Sequence, residues 1–279
     1  MRFKTEIFRL PLKPSGFRVL DCLGYVLPTP GTAEDYAFVW EFPAPTPRLA
    51  IQQPEITPIG LLGILQSPKN SHGKVWLPLG ERFRLAYKLV SCVRELNIVG
   101  WLHRNISSRS IVFFEQEGGA STLSEIVENP YLINFQYSRL AENTGYTQHT
   151  EYATSNTSNP LLHYQHPECS PSVPFREIYD YYSIGIILLE LGSWKPLDAF
   201  LDQNRHYRSD RGAFRDMLVR KYVPRLSHVM GDTYRDVILA CLRSEFGQDA
   251  YGVGEGQTVL QKFYDKVVCP LSKLSRYHI

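Results

Sequence analysis

One stretch constrains this chain more than any other: residues 100–114, GWLHRNISSRSIVFF. A His103-Arg104 pair opens a polar turn there, and the apolar run IVFF closes it. The approach to the turn is periodic. Phe83, Ala86, Val90 and Val93 share one helical face, with Leu85, Leu89 and Leu96 beside them. That spacing predicts a buried helix over 81–96. Arg82, Arg84, Lys88, Arg94 and Glu95 fall on the other side and read as a solvated face. Residues 111–114 are short and rich in β-formers, which predicts a strand.

The rest of the chain arranges itself around this turn. Phe3, Ile7, Phe8 and Leu10 have helical spacing that Pro11 cuts off. FRVLDCLGYVL at 17–27 and YAFVWEF at 36–42 are β-rich and joined by a Pro/Gly/Thr turn at 28–32, which predicts a hairpin. Residues 43–80 carry seven prolines and little periodicity, so they read as a hinge with at most one short helix near 59–65. Thr122-x-x-Glu125 is a capping-box pattern for a small helix. YLINF at 131–135 predicts another strand, and the Asn/Thr/Ser/Tyr-rich 141–165 a long surface loop. YDYYSIGIILLELGSW at 179–194 has a wide apolar stripe, Ile184, Ile187, Leu188 and Leu191, and predicts a buried helix with Asp180 and Ser183 at its N-cap end. Further helices fit 214–222, 232–243 and 257–268, the last stopped by Pro270. Gly252, Gly254 and Gly256 form G-x-G-x-G with no strand before it, which is a loop pattern and not a phosphate cradle.

Composition excludes several classes. With 279 residues and 43% hydrophobic content, one or two lobes with a real core are expected. A net charge of +2 gives no reason to expect a nucleic-acid or membrane surface. The longest apolar run, at 184–189, is far too short for a membrane span, and the N-terminus has no apolar signal region. Cys22, Cys92, Cys169, Cys241 and Cys269 contain no C-x-x-C pair, so reduced thiols in an intracellular, cytoplasmic protein are expected. The N-x-S/T matches at Asn105 and Asn156 then read as chance.

The order of motifs resembles the eukaryotic protein kinase superfamily. His103-Arg104-Asn105, followed by Ser107 and Ser110, sits in the frame of the catalytic loop H-R-D-L-x-x-x-N. Asn134-Phe135-Gln136 falls where the family has D-F-G, and His166-Pro167-Glu168 where it has A-P-E. Asp180-x-x-Ser183-x-Gly185 is similar to the family's buried helix. The resemblance implies an α+β, protein-kinase-like bilobal fold with a truncated small β lobe and a mainly helical large lobe. On that frame, 1–43 is a partial small lobe, 44–80 a Pro-rich hinge and 81–279 the helical large lobe. More narrowly, GWLHRNISSRSIVFF and FYDKVVCPL are similar to kinase-like modules of filamentous fungi, which often follow a helical domain of the prion-inhibition type; no such domain is read in this sequence.

The same resemblance implies lost chemistry. Phosphoryl transfer uses one carboxylate as base and another to hold Mg²⁺. Asn105 stands at the base position, and an amide cannot be that base. Asn134 stands at the metal carboxylate, Ser110 at the second metal ligand, Ser107 at a common lysine, and Gln136 at the turn glycine. No glycine-rich phosphate loop or V-A-I-K strand is present. Pro167, Glu168, Asp180 and Gly185 keep structural roles, Glu168 through a late arginine such as Arg243 and Asp180 through the backbone of the His-Arg turn. The expectation is a pseudokinase without cofactor or metal, acting as a signalling or protein-interaction module on protein partners. The alternatives are an atypical kinase using ATP and Mg²⁺, or part of a longer active kinase. A small-molecule phosphotransferase ranks last.

Overall fold

In the computed structural model, strand β1 (Asp21–Val26) pairs antiparallel with β2 (Ala37–Glu41), Cys22 opposite Trp40 and Tyr25 opposite Phe38, with a bulge between Cys22 and Gly24. The structure describes residues 13–14, 16–26, 37–41, 43, 58–67, 76–114, 122–141, 160–170, 172–247 and 257–276. The helix expected before Pro11, the turn at 28–32 and the Gly252–Gly256 triplet lie outside the described residues.

The Pro-rich stretch contributes more than a short helix. Its residues form β3 (Pro58–Gly60), which runs directly into α1 (Leu61–Gln66). The long helix α2 (Leu79–Ile98) buries Phe83, Leu85, Ala86, Leu89, Val90, Val93 and Leu96, as their spacing predicts. Arg82 departs from that pattern. It is buried, its guanidinium lies over the rings of Trp76 and Trp194, and its Nε donates to the Leu77 carbonyl. Two aromatic faces and a carbonyl replace the water that its predicted position would have supplied.

Strand β4 (Trp101–Leu102) enters the turn, and β5 (Ile111–Phe114) leaves it. After α3 (Leu123–Ile126), which carries the expected Thr122–Glu125 capping box, come β6 (Tyr131–Leu132) and β7 (Arg139–Leu140). Strand β5 is the centre of a three-stranded antiparallel sheet, flanked by β3 and β6, while β4 pairs with β7. The strand expected over 131–135 stops at Leu132 because Asn134 turns left-handed, at φ 69°, and a 3₁₀ turn, Phe135–Tyr137, follows. The β1–β2 hairpin is tied to this sheet where the Leu132 N–H donates to the Arg18 carbonyl at 2.7 Å.

The core gathers on α4 (Glu177–Ser193), in which residues 178–192, fifteen in a row, are all buried. A helix that is apolar nearly all round must be enclosed on every side. Around it lie α5 (Leu197–Gln203), α6 (Arg211–Met217), α7 (Ser227–Met230), α8 (Asp232–Leu242), α9 (Val259–Phe263) and α10 (Cys269–Leu274). Helix α8 is seated against two glycines one heptad apart. A Cβ on Gly185 would lie 2.5 Å from that of Cys241, and one on Gly192 would lie 3.0 Å from the Tyr234 ring. Tyr181 stacks on Phe263 with centroids 3.8 Å apart, which fastens the C-terminal helices to the same rod.

Two helix ends differ from the sequence expectation. Helix α4 begins at Glu177, so Asp180 and Ser183 lie inside it and cap nothing. Pro270 does not end the last helix. A π turn, Tyr264–Val268, resets the hydrogen-bond ladder, and Pro270 falls in the first turn of α10, where its missing N–H is not needed. Among the described residues the fold is α+β, mostly helical with small antiparallel sheets. No helix among them is long and apolar enough to cross a membrane.

Candidate functional site

The His-Arg turn is clamped from below by one carboxylate. Asp180, buried in the first turn of α4, accepts the His103 N–H on Oδ2 at 2.8 Å and the Arg104 N–H on Oδ1 at 2.9 Å. This is the contact the resemblance implies for Asp180. Burial pushes its pKa up to about 7, against the two N–H donors, which favour the charged form. Arg104 is held left-handed at φ 69°, a region that a long side chain rarely enters, so the clamp maintains a costly backbone. Its guanidinium lies over the Phe175 ring at 5.0 Å. Burial lowers its pKa; the Arg139 charge adds to the shift and Asp180 opposes it.

His103 joins the turn to the next segment. Its Nε2 is 2.9 Å from the Ile133 carbonyl, and its Nδ1 accepts the Asn105 N–H at 3.2 Å. Those partners assign the proton to Nε2 in a neutral ring. Burial depresses its pKa to about 4, so the neutral form persists at physiological pH. The Phe135 ring meets it edge-on with centroids 4.5 Å apart. Phe135 is buried beneath the turn, and Trp40 of β2 packs on it at 5.9 Å. His103, Phe135 and Trp40 thus form one chain of ring contacts from the turn to the hairpin.

The positions that would carry phosphoryl-transfer chemistry are placed differently. The Asn105 side chain makes no hydrogen bond among the described residues and is partly exposed. Asn134 Nδ2 donates to the Arg109 carbonyl at 3.4 Å, and Asn134 lines a groove between the β1–β2 hairpin and the three-stranded sheet. Ser110 does not face the groove. It is fully buried, its Oγ accepts the Ser107 N–H at 2.9 Å and donates to the Ser107 carbonyl at 2.8 Å, and so it serves the turn itself. A hydroxyl is short enough to fold back on its own turn, which explains the inward orientation. Gln136, which stands where the resemblance puts the turn glycine, does not take a left-handed conformation. The positive φ is at Asn134, a residue type that tolerates it, while Gln136 is exposed in the 3₁₀ turn.

The Pro167-Glu168 segment is held by a different arginine from the one expected. Arg176 meets Glu168 at 3.4 Å, whereas Arg243 pairs with Glu245 at 3.6 Å. Both choices are local: Arg176 opens α4 eight residues after Glu168, and Glu245 follows Arg243 by two. Arg211 fixes the same segment from α6 by donating to the carbonyls of Pro167 and Cys169. His166 is buried between the Tyr179 and Tyr182 rings, and burial lowers its pKa to about 4.

Below the turn is a cluster that the motif reading missed. Glu190, fully buried in α4, accepts on Oε1 from the Tyr164 hydroxyl at 2.7 Å, the Leu197 N–H at 2.6 Å and the Ser108 hydroxyl at 3.4 Å. Its Oε2 is buried without a hydrogen-bond partner. Burial pushes the pKa up to about 8. The signal was legible: a lone carboxylate inside the run ILLEL must be satisfied by polar partners brought from elsewhere.

A cavity of about 620 Å³ opens between the hairpin and the three-stranded sheet, lined by Phe38, Trp40, Phe114 and Phe135, with Asn134 and Gln136 at its polar edge. No charged residue lines it among the described residues. Nor do they contain any group of three or more His, Cys, Asp or Glu placed to hold a metal. With amides at Asn105 and Asn134 and an inward Ser110, the donor set does not fit a Mg²⁺ bridging phosphates, for which one or two carboxylates are usual.

No curated protein matches the sequence. A family profile described as "Domain of unknown function (DUF7580)" matches residues 43–276, which include α2, the His-Arg turn, its Asp180 clamp and the helical core. The chain belongs to this DUF7580 family.

Proposed function

We propose that this chain is a catalytically impaired, protein-kinase-like module of bilobal type that acts as a signalling or protein-interaction domain. One contrast carries the reading. The groups that hold the His-Arg turn are intact, with Asp180 on two backbone N–H groups and His103 on the Ile133 carbonyl. The groups that would carry charge into the groove are amides or face inward. A fold that keeps the frame of a reactive loop without its carboxylates can still present a rigid surface, and binding needs no general base. On this reading the hairpin is a reduced small lobe and the α4-centred helices are the large lobe.

The cavity beside Asn134 favours a second reading, an atypical ATP-dependent kinase, because a nucleotide base could lie among Phe38, Trp40 and Phe135. The two readings separate in a thermal-shift titration with Mg·ATP, with ATP alone and with Mg²⁺ alone. A ligand that binds only the folded state at a hundredfold over its Kd stabilises it by about 2.7 kcal/mol. The first reading expects no Mg·ATP-dependent rise in melting temperature; a saturable rise that requires both components would reject it in favour of the second.

A further inference from the structure

One stretch of the sequence is strongly basic. Between residues 205 and 225, six arginines and one lysine face two aspartates, a net of +5 in a chain whose total is +2, so everything outside carries −3. Most of these cations have partners. Arg208 pairs with Asp202, Arg215 and Arg220 share Asp216, and Arg211 holds the Pro167–Cys169 carbonyls. Arg205, Lys221 and Arg225 are exposed, and none of the three pairs with a carboxylate among the described residues.

These three are brought together by structure and not by sequence alone. Asn204 is buried at the end of α5, donates to the Tyr222 hydroxyl at 2.9 Å and accepts from Lys221 Nζ at 3.2 Å, which sets Arg205 beside the 218–222 π turn. Lys221 Nζ and the Arg225 guanidinium lie over the Tyr222 ring at 5.2 and 5.6 Å. One turn beyond Arg225, Val229 is 56% exposed. The result is an exposed cationic cluster, with Lys221 and Arg225 over the Tyr222 ring, Arg205 next in sequence to Asn204, and Val229 one turn beyond Arg225.

We propose that this face docks an acidic segment of a partner protein, one with carboxylates flanking an apolar or aromatic residue. Carboxylates supply the counter-charge that Arg205, Lys221 and Arg225 lack, and Val229 supplies the apolar contact. Nucleic acid fits less well. The Tyr222 ring that would stack on a base is already covered by two cations, and the Phe200 ring meets it edge-on. An anionic membrane would find a single large apolar side chain to insert. The assignment is independent of the kinase-like reading, since it uses no residue of the groove.

The test uses a labelled glutamate/tyrosine peptide, a single-stranded oligonucleotide of equal charge and phosphatidylserine vesicles, each titrated against the full chain at physiological salt. Two charge-matched variants accompany the parent: Arg205→Glu/Lys221→Glu/Arg225→Glu, and Lys195→Glu/Lys273→Glu/Arg276→Glu at exposed sites elsewhere. The first should lose about tenfold in peptide affinity, roughly the effect of removing 1.4 kcal/mol, and the second less than about twofold. The Gln versions of the first variant should fall between, with unchanged far-UV circular dichroism. Equal losses in both variants, no measurable peptide binding, or tighter binding of the oligonucleotide or vesicles than of the peptide would overturn the proposal.

Discussion

Each oxygen of the Asp180 carboxylate holds one backbone N–H of the His-Arg turn, Oδ2 that of His103 at 2.8 Å and Oδ1 that of Arg104 at 2.9 Å. The pairing joins helix α4 to a turn 76 and 77 residues upstream and fixes Arg104 in a left-handed conformation. It is the point where the core and the candidate site become one structure.

Removing that carboxylate should therefore cost the fold more than removing the Asn105 side chain in the same turn. Asp180→Ala leaves two inward N–H groups without partners, at about 1–3 kcal/mol each. A loss of roughly 2–5 kcal/mol is expected. Asn105→Ala removes a side chain with no hydrogen bond among the described residues, so its effect should stay within about 0.5 kcal/mol. Urea unfolding of both variants beside the parent decides it; equal losses would show that the turn does not depend on Asp180.

Two glycines in helices should respond to alanine in opposite directions. At Gly185 the new Cβ would lie 2.5 Å from the Cys241 Cβ, so α4 and α8 must move apart. Overpacking of about 1–3 kcal/mol outweighs a helix-propensity gain of up to about 1 kcal/mol. Gly63 in α1 has nothing within 4 Å of an added Cβ and only the propensity gain applies. Thermal melts should show Gly185→Ala falling and Gly63→Ala unchanged or rising. A neutral Gly185→Ala would mean that the α4–α8 contact is looser than described.

Stability should decline on the alkaline side of neutral pH. Burial holds Glu190 up at about 8 and Asp180 at about 7, so the folded state binds protons that the unfolded chain has already released above its ordinary carboxylate range. Their stabilising contribution is complete below the unfolded pKa values and is lost as pH rises through 7 and 8, on the order of 2 kcal/mol between pH 6.5 and 8.5. Below pH 6.5 the depressed imidazoles of His103, His166 and His163 act in the other direction, because the unfolded chain takes up protons they refuse. The two sets oppose one another there, so the pH dependence is flatter than on the alkaline side. Glu190→Gln should flatten the alkaline decline, measured as urea midpoints across pH 6 to 9. An unchanged slope in that variant would remove Glu190 as its source.

What the sequence made legible were features with a period or a short-range grammar. The apolar stripe of α2, the long apolar run of α4 and the Thr122–Glu125 capping box could be read directly, because one-sided burial, an unbroken apolar helix and a hydroxyl three residues from a glutamate each have few structural solutions. Ser110 could not be placed this way, since a serine can face the groove or fold back on Ser107 with no change in pattern. The partner of Glu168 was equally hidden: an exposed carboxylate accepts whichever arginine the local turn brings near, and that is Arg176. Strand β3 escaped notice because three residues among prolines carry no alternation, and only their pairing with β5 makes them a strand. Arg82 was misplaced by its charge, because the sequence does not show that two tryptophan rings converge on it.

On the proposed kinase-like reading, the orientation of Ser110 bears on whether phosphoryl transfer can be introduced. On that reading Asn105→Asp would place a carboxylate at the base position, and Asn134→Asp one at the metal position. The third group of that unit would still be absent, since Ser110 both donates to and accepts from Ser107 and is fully buried. Members of a catalytic unit act together, so restoring some of them recovers little of the rate. The cavity beside Asn134 also offers no described cation to the phosphates. The double variant should therefore transfer no measurable radiolabel from ATP to a Ser/Thr peptide array or to itself, while melting within about 1 kcal/mol of the parent, as expected for partly exposed polar substitutions. Transfer by the double variant, or by Asn105→Asp alone, would show that the groove retains a phosphate-binding capacity inconsistent with a non-catalytic module.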